Sequence, residues 1–551
     1  MAKKSECTVA RYLITRLSQM NVKHIFGVPG DYVLDFMDRI LASPLALVGN
    51  CNELNAGYAA DGYARTAGAG AVAVTYCVGG FSMLNAIAGA YAEQVPVVAI
   101  SGAPASARRS ANTMVHHMTK NYYLQKDIYA HVTVDSVLLT DPAAAPAEID
   151  RVLCACLAHR RPVYIEIPVD MVDAPAPDPG PFPRGLGRSS DPAALYECVA
   201  EAAEMINQAK HPVVLAGIEV ARFGLSGPML SLVEKAELPY ATTLTSKSVL
   251  PELHPQCMGV YQGALSDPSL RAQVEGSDAI LSAGVWLTDI DTGGFTARLP
   301  QQAMITVNSE QVRIGHHFYH NVWMGDFLSE LAHKISPRDF RESRPRKSYL
   351  PKRSFIADPG ADITIKRFYE RLSVFLDDDM ILVSDTGDAL CAVPSIYIEE
   401  PERCIVQGYY MSIGYAVPAC LGVSLAAPEK RPVVLVGDGA FQMTAQELST
   451  LLRHGCSPVI FLLNNDGLVI ERLIHDGPYN EIQPWKYYKL PEVFGDGAIC
   501  REARTEGDLE EALAAAQANR ERLCFIEVHL DRWDSSEALK RLGVEIRKLS
   551  T

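Results

Sequence analysis

The stretch VVLVGDGAF, residues 433–441, runs four apolar strand-formers directly into Gly437, Asp438 and Gly439. A continuous apolar run bounded by turn residues suits a strand covered on both faces, as in a parallel sheet. Asp438 would then stand at a strand's carboxyl end, where open α/β sheets bind ligands. Glycines on either side remove Cβ atoms and let backbone N–H groups approach an anion. The 24 residues after Gly439 close with a second apolar run, VIFLL, which leads into Asn464, Asn465 and Gly467. A right-handed βαβ unit brings both strand ends to one edge. The Asp438 carboxylate, the Asn465 carbonyl and the Gly467 backbone carbonyl are hard oxygen ligands, suited to Mg2+ shared with a diphosphate. No Lys and Ser/Thr follow the glycines, so this is not a Walker loop. A plain strand-to-helix turn with Asp438 as N-cap is the alternative reading of the first motif alone.

The paired motifs resemble the signature of thiamine-diphosphate (ThDP) enzymes. Segments from Phe26 to Trp485 are similar to the pyruvate decarboxylase group, which includes indolepyruvate, phenylpyruvate and branched-chain 2-oxo acid decarboxylases. The resemblance implies ThDP and Mg2+ as cofactors, and non-oxidative decarboxylation of a 2-oxo acid to an aldehyde and CO2 through a carbanion/enamine on the cofactor. It implies that Glu53, in GNCNELNAGYAADGYAR, bonds N1′ of the aminopyrimidine. Read alone, Glu53 is also an ordinary acid at a helix N-terminus; its small, apolar neighbours favour burial, where an unpartnered carboxylate is costly. The resemblance further implies Ile413, 25 positions before Asp438, as the wedge beneath the bent cofactor, and the Met411 carbonyl as a partner for N4′. Gly387 and Asp388 of SDTGDAL match a second diphosphate clasp, beside Gly437, Asp438, Gly439 and Ala440.

Protonating the product and releasing it need acid–base groups of suitable pKa. Asp31 of GVPGDY, His116 and His117 of MVHHM and Glu471 of NNDGLVIE match the family's groups, with 63 positions separating Glu53 from His116. Adjacent histidines by themselves read as a solvated pair. The continuation MTKNYYLQKDI departs from the family's usual one. Ile290 and Leu390 stand where strict pyruvate decarboxylases carry aromatic rings, and Ile470 and Ile474 extend an apolar wall. A pocket so enlarged discriminates weakly among side chains and suits branched-chain or aromatic 2-oxo acids. Pyruvate is the alternative substrate, since HDGPYN and TGD resemble pyruvate-specific members. A carboligase of the acetolactate synthase type is a second alternative, one that would bind FAD in the middle block.

These residues need α/β scaffolding, and the 551-residue chain is long enough for three or four domains. Strand-like and helical runs alternate in three blocks, which predicts three doubly wound parallel-sheet domains: pyrimidine-binding (1–180), middle (190–340) and diphosphate-binding (355–551). Two proline-bearing stretches, 173–192 and 336–355, read as the linkers. Within the blocks, the pattern predicts a strand over Ala71–Val78, a helix over Phe81–Ala92 and one continuous helix over Gln442–His454 with Met443, Leu448, Leu451 and Leu452 on one side. Thr66–Ala92 lacks charge, but its glycines divide it into strand and interface helix rather than a membrane span. A net charge of −15 argues against nucleic acid or anionic membrane as partner. Thirteen cysteines without CxxC spacing read as buried thiols in a reducing cytoplasm, and no apolar signal segment opens the chain. Family precedent places the site between the first block of one subunit and the third block of another, in a homodimer or homotetramer.

Overall fold

The computed structural model describes residues 7–183, 189–337, 354–398 and 403–549. The expected second linker, 336–355, lies almost wholly outside the described residues, as does the stretch 184–188 of the first.

The first sheet contains β1 (His24–Gly27), β2 (Ala46–Gly49), β3 (Gly70–Val74), β4 (Val97–Ala103), β5 (Asp135–Leu138) and β6 (Val163–Pro168). Its order is β2-β1-β3-β4-β6-β5 and every pair is parallel. The middle sheet holds β7 (Pro212–Ala216), β8 (Tyr240–Thr242), β9 (Cys257–Val260), β10 (Ala279–Ala283), β11 (Met304–Asn308), β12 (Gln311–Ile314) and β13 (His317–His320). Here β11, β12 and β13 form an antiparallel edge on an otherwise parallel sheet. The third sheet contains β14 (Met380–Ser384), β15 (Cys404–Val406), β16 (Arg431–Gly437), β17 (Val459–Asn464), β18 (Ile499–Ala503) and β19 (Cys524–His529). Its parallel order, β15-β14-β16-β17-β19-β18, repeats that of the first sheet strand for strand.

The register decides what meets at the sheet edge. Val433 pairs with Val459 and Gly437 with Leu463, so Asp438 leaves the sheet level with Asn464, one residue before Asn465. The first and third blocks share one apolar core, in which Val72 and Val74 join Val434, Val436 and Leu448. Within it the helices Glu53–Ala67 and Ala416–Ala426 touch backbone to backbone. A Cβ on Gly62 would lie 2.3 Å from the Ala419 carbonyl oxygen, and one on Gly422 would lie 2.0 Å from that of Ala59. No side chain fits at either position, so glycine sets the distance between the two blocks.

Three expectations need correction. β3 ends at Val74 and the following helix already starts at Val78, because Cys77 turns the chain in a left-handed conformation (φ +52°). The expected helix over 442–454 is two helices, Asp438–Thr444 and Leu448–Arg453, around a 3-10 turn at Ala445–Glu447. That break re-phases the apolar face: Leu448 and Leu451 are buried, whereas Met443 is exposed. The cysteines are all free, but Cys51 is exposed rather than buried. Among the described residues, no helix is long and apolar enough to cross a membrane.

Candidate active site

The carboxyl edge of the third sheet builds an oxygen-rich cradle. A cavity of about 70 Å3 there is lined by Gly387, Ile413, Asp438, Ala440, Asn465 and Gly467 among others, all from the third block. Asp438 opens its helix at the end of β16, and its two oxygens accept N–H groups of Gly439 (2.8 Å) and Gly467 (2.9 Å). Burial pushes its carboxyl up to about 7, against the two N–H groups that favour the charged form. A divalent cation would restore the anion, and an Asp–Asn–carbonyl donor set is the kind Mg2+ takes with diphosphate oxygens. The residues therefore fit Mg2+ and a diphosphate group. The side chain of Asn464 is committed elsewhere, to Glu527 (2.8 Å), which leaves Asn465 for the cavity.

Several residues that shape this cradle escape sequence reasoning. Arg472, fully buried, donates to the backbone oxygens of Asn465 (3.1 Å), Asp466 and Arg532 (3.0 Å), and so holds the loop after β17. Gly467 lies against it at φ +140°; a Cβ there would meet the Arg472 guanidinium at 2.2 Å. Asp385 accepts amides from Thr386 (2.9 Å), Gly414 (3.2 Å) and Ala416 (2.9 Å), which fixes the loop carrying Ile413. Burial raises its carboxyl to about 6. Met411, in a left-handed conformation at φ +55°, turns the chain two residues before Ile413. The only sequence signal for Arg472 is a cation amid the apolar residues of VIERLI.

Gly387 also needs its positive φ of +72°, and a Cβ there would point into open space. Asp388 is already engaged: it accepts the Ser536 amide (2.9 Å) and the Ser536 hydroxyl, and burial raises its carboxyl to about 6. Its side chain thus fastens the start of the C-terminal helix, Glu537–Leu549, which the sequence reading did not anticipate. That helix closes an apolar cluster in which Leu539 and Leu542 pack with Ile290, Leu390 and Val469, flanked by Met411 and Ile470. Ile474 does not join it; its carbonyl accepts the Arg547 guanidinium (2.9 Å) instead. Glu471, in the first turn of the helix Val469–Ile474, is exposed.

The first sheet presents a different edge. Glu53 is the first residue of its helix, behind Asn52, whose side chain caps the Asn55 amide (2.8 Å). Gly79 packs beside Glu53: a Cβ there would lie 3.2 Å from Val74 and 3.3 Å from Thr75, in ordinary contact with Glu53 Oε1. Asp31 hydrogen-bonds His116 Nε2 and lies 3.6 Å from His117 Nε2. Burial raises the Asp31 carboxyl, but His116, the Tyr32 amide and His117 together outweigh it and the net shift is downward. Tyr32 stacks on His116 (4.8 Å) and its hydroxyl meets His116 Nδ1 at 3.4 Å. The structure thus brings Asp31, His116 and His117 together, and separately Asp438, Asn465, Gly467, Gly387 and Ile413.

Two carboxyl edges, one oxygen-lined and able to hold a metal diphosphate, the other bearing carboxylates and imidazoles, describe an enzyme that handles protons around a phosphorylated cofactor. Family profiles agree: residues 7–128 match the thiamine pyrophosphate enzyme N-terminal TPP binding domain, 199–329 its central domain and 385–528 its C-terminal TPP binding domain. Pyruvate decarboxylase 2 of Oryza sativa subsp. japonica is 35% identical over 98% of this chain and 91% of its own length. The alpha-keto-acid decarboxylase of Mycobacterium leprae is 38% identical over 97% of this chain and 95% of its own. The chain belongs to the thiamine-diphosphate-dependent 2-oxo acid decarboxylases.

Proposed function

We propose that the protein decarboxylates 2-oxo acids with branched or aromatic side chains to aldehydes, in the cytoplasm, at sites completed by a second copy of the chain. ThDP, when bound, supplies the electron sink for loss of CO2. Asp438, Asn465 and Gly467 would hold its Mg2+, Gly387, Gly437, Gly439 and Ala440 would take the diphosphate, and Ile413 and the Met411 carbonyl would hold the rest of the cofactor. Asp388, tied to Ser536, shapes the clasp rather than touching phosphate. Glu53 exchanges a proton with N1′, while Asp31, His116, His117 and Glu471 carry the remaining proton transfers.

What supports a shared site is the third-block cavity: among the described residues no first-block residue of the same chain lines it, and in this reading a second copy supplies the carboxylate. What supports the larger substrates is the cluster of Ile290, Leu390 and Ile470, which is aliphatic throughout and flanked by Met411 beside the cofactor loop. Pyruvate is the second reading, favoured by the pyruvate decarboxylases of Oryza and Arabidopsis, each 35% identical to this chain. The test is CO2 release from pyruvate, a branched-chain 2-oxo acid and phenylpyruvate, with ThDP and Mg2+ present and withheld, on protein whose mass in solution is measured. Turnover by a monomer, or pyruvate preferred over both larger acids, would overturn the respective part.

A further inference from the structure

The triad on the first sheet has a geometry that acid–base work alone does not require. His116 and His117 are adjacent in sequence, so in an extended chain their side chains would point to opposite sides. A left-handed conformation at His117 (φ +68°) instead brings the rings together, with centroids 4.7 Å apart. A non-glycine residue is held in that conformation only where the surroundings enforce it. They do: Tyr32 and Met118, one from each loop, pack on Tyr76, Cys77 and Ala103. As a result one nitrogen from each ring and one Asp31 oxygen lie within 4.8 Å of one another.

We propose that Asp31, His116 and His117 form a binding site for a borderline divalent ion of the Zn2+ type, distinct from the Mg2+ site, and that the ion blocks turnover. Zn2+ takes imidazole nitrogen and carboxylate oxygen at about 2.0–2.1 Å, which sets tetrahedral ligand edges near 3.3 Å. His117 Nε2 lies 3.6 Å from one Asp31 oxygen and His116 Nε2 bonds the other, so side-chain shifts within the 4.8 Å that spans the three ligand atoms bring both nitrogens and one oxygen to that spacing. All three side chains are reachable in the single chain, at 62, 32 and 47% exposure for His116, His117 and Asp31, and in the proposed assembly the ion enters by the route the substrate takes. With His116 Nδ1–H donating to the Tyr32 hydroxyl, 3.4 Å away, the Nε2 lone pair is the one that turns from Asp31 to the ion. Water completes the fourth position. Two nitrogens and one oxygen select Zn2+, Ni2+ or Cu2+ over Mg2+, whereas the third-sheet cradle offers oxygen only. The inhibitory part rests on the proposed proton-transfer role, because a ligated imidazole lone pair cannot accept a proton; the binding part does not.

The test is calorimetric titration of the Mg2+–ThDP-loaded protein with Zn2+ alone, in millimolar Mg2+. The expected result is one Zn2+ per chain, bound in the micromolar range, with loss of CO2 release that a chelator reverses. His116→Ala with His117→Ala should weaken binding at least ~10-fold, since even an outer-shell change costs ~10–100-fold. Asp438→Ala, which removes the Mg2+ ligand, should leave this Zn2+ site intact. Co2+ added to the wild type should give four-coordinate visible bands that Zn2+ displaces, a reading independent of how any variant folds. Zn2+ uptake that disappears in Asp438→Ala, unchanged affinity in the double variant, or absence of the Co2+ bands overturns the site. Zn2+ bound without loss of turnover overturns the inhibition. If no 2-oxo acid is turned over yet Zn2+ binds as described, the decarboxylase reading fails and the site stands.

Discussion

The first and third sheets have the same strand order, and their loops correspond one by one. After the first strand of each come Asp31 in one and Asp385 with Asp388 in the other; after the second, Glu53 and Ile413; after the third, Gly79 and Asp438; after the fourth, His116 with His117 and Asn465 with Gly467. Equal topology yields opposite electrostatics. On the third sheet the carboxylates are buried among backbone amides, and burial lifts Asp385, Asp388 and Asp438 above their ordinary range. On the first, Asp31 is half-exposed beside an imidazole and its carboxyl is lowered. A parallel sheet thus supplies only the place, its carboxyl edge. Burial and loop chemistry then set the charge that each edge carries.

The largest effect should come from the proton-moving side. Glu53→Gln is expected to lower kcat by at least ~10²-fold, the minimum for loss of a general acid–base group, while ThDP still binds in the presence of Mg2+. More than a tenth of wild-type turnover would mean that the first sheet does not carry this step. The metal side should respond in the other coordinate: Asp438→Ala loses cofactor affinity by more than the ~10–100-fold expected for an outer-shell change, measured as ThDP titration of apoprotein at limiting Mg2+. Unchanged affinity there would dissolve the distinction between the two edges.

Between these extremes lies the substrate cluster. Ile290→Tyr adds bulk where Leu390, Leu539 and Leu542 are already packed, and overpacking costs roughly 1–3 kcal/mol. The ratio of kcat/KM for phenylpyruvate over pyruvate should then fall about tenfold, which corresponds to about 1.4 kcal/mol. A ratio within about twofold of wild type would place Ile290 away from the substrate. The smallest effect is expected at the latch between Asp388 and Ser536. Ser536→Ala removes one hydroxyl donor and keeps the amide, so urea denaturation should show a loss of about 1.5–3 kcal/mol, the range for hydrogen bonds to charged groups. No loss would show that the C-terminal helix is held by Leu539 and Leu542 alone.

Local pattern was enough to place Asp438, Asn465 and Gly467 on adjoining strand ends, because apolar runs, glycines and a βαβ connection are short-range features. The same holds for the alternation into three α/β blocks and for the pairing of Asp31 with the two histidines once a family resemblance is admitted. What the pattern misjudged is local as well as distant. The 3-10 turn at Ala445–Glu447 arises where Glu447 is drawn to Asn50 (2.8 Å) and Asn55 (2.7 Å) of the first block, partners almost 400 residues away. Asp385, Arg472 and Ser536 act by hydrogen bonds to backbone and side-chain atoms that no spacing in the sequence marks. Ile474 carries the residue type expected of a pocket wall, yet it lies outside the apolar cluster that Ile470 flanks, while the C-terminal helix brings Leu539 and Leu542 in. Residue type and period therefore determined which atoms were available at each strand end. Only the tertiary structure decided which of them are buried, and burial sets both the charge a carboxylate holds and the partners it keeps.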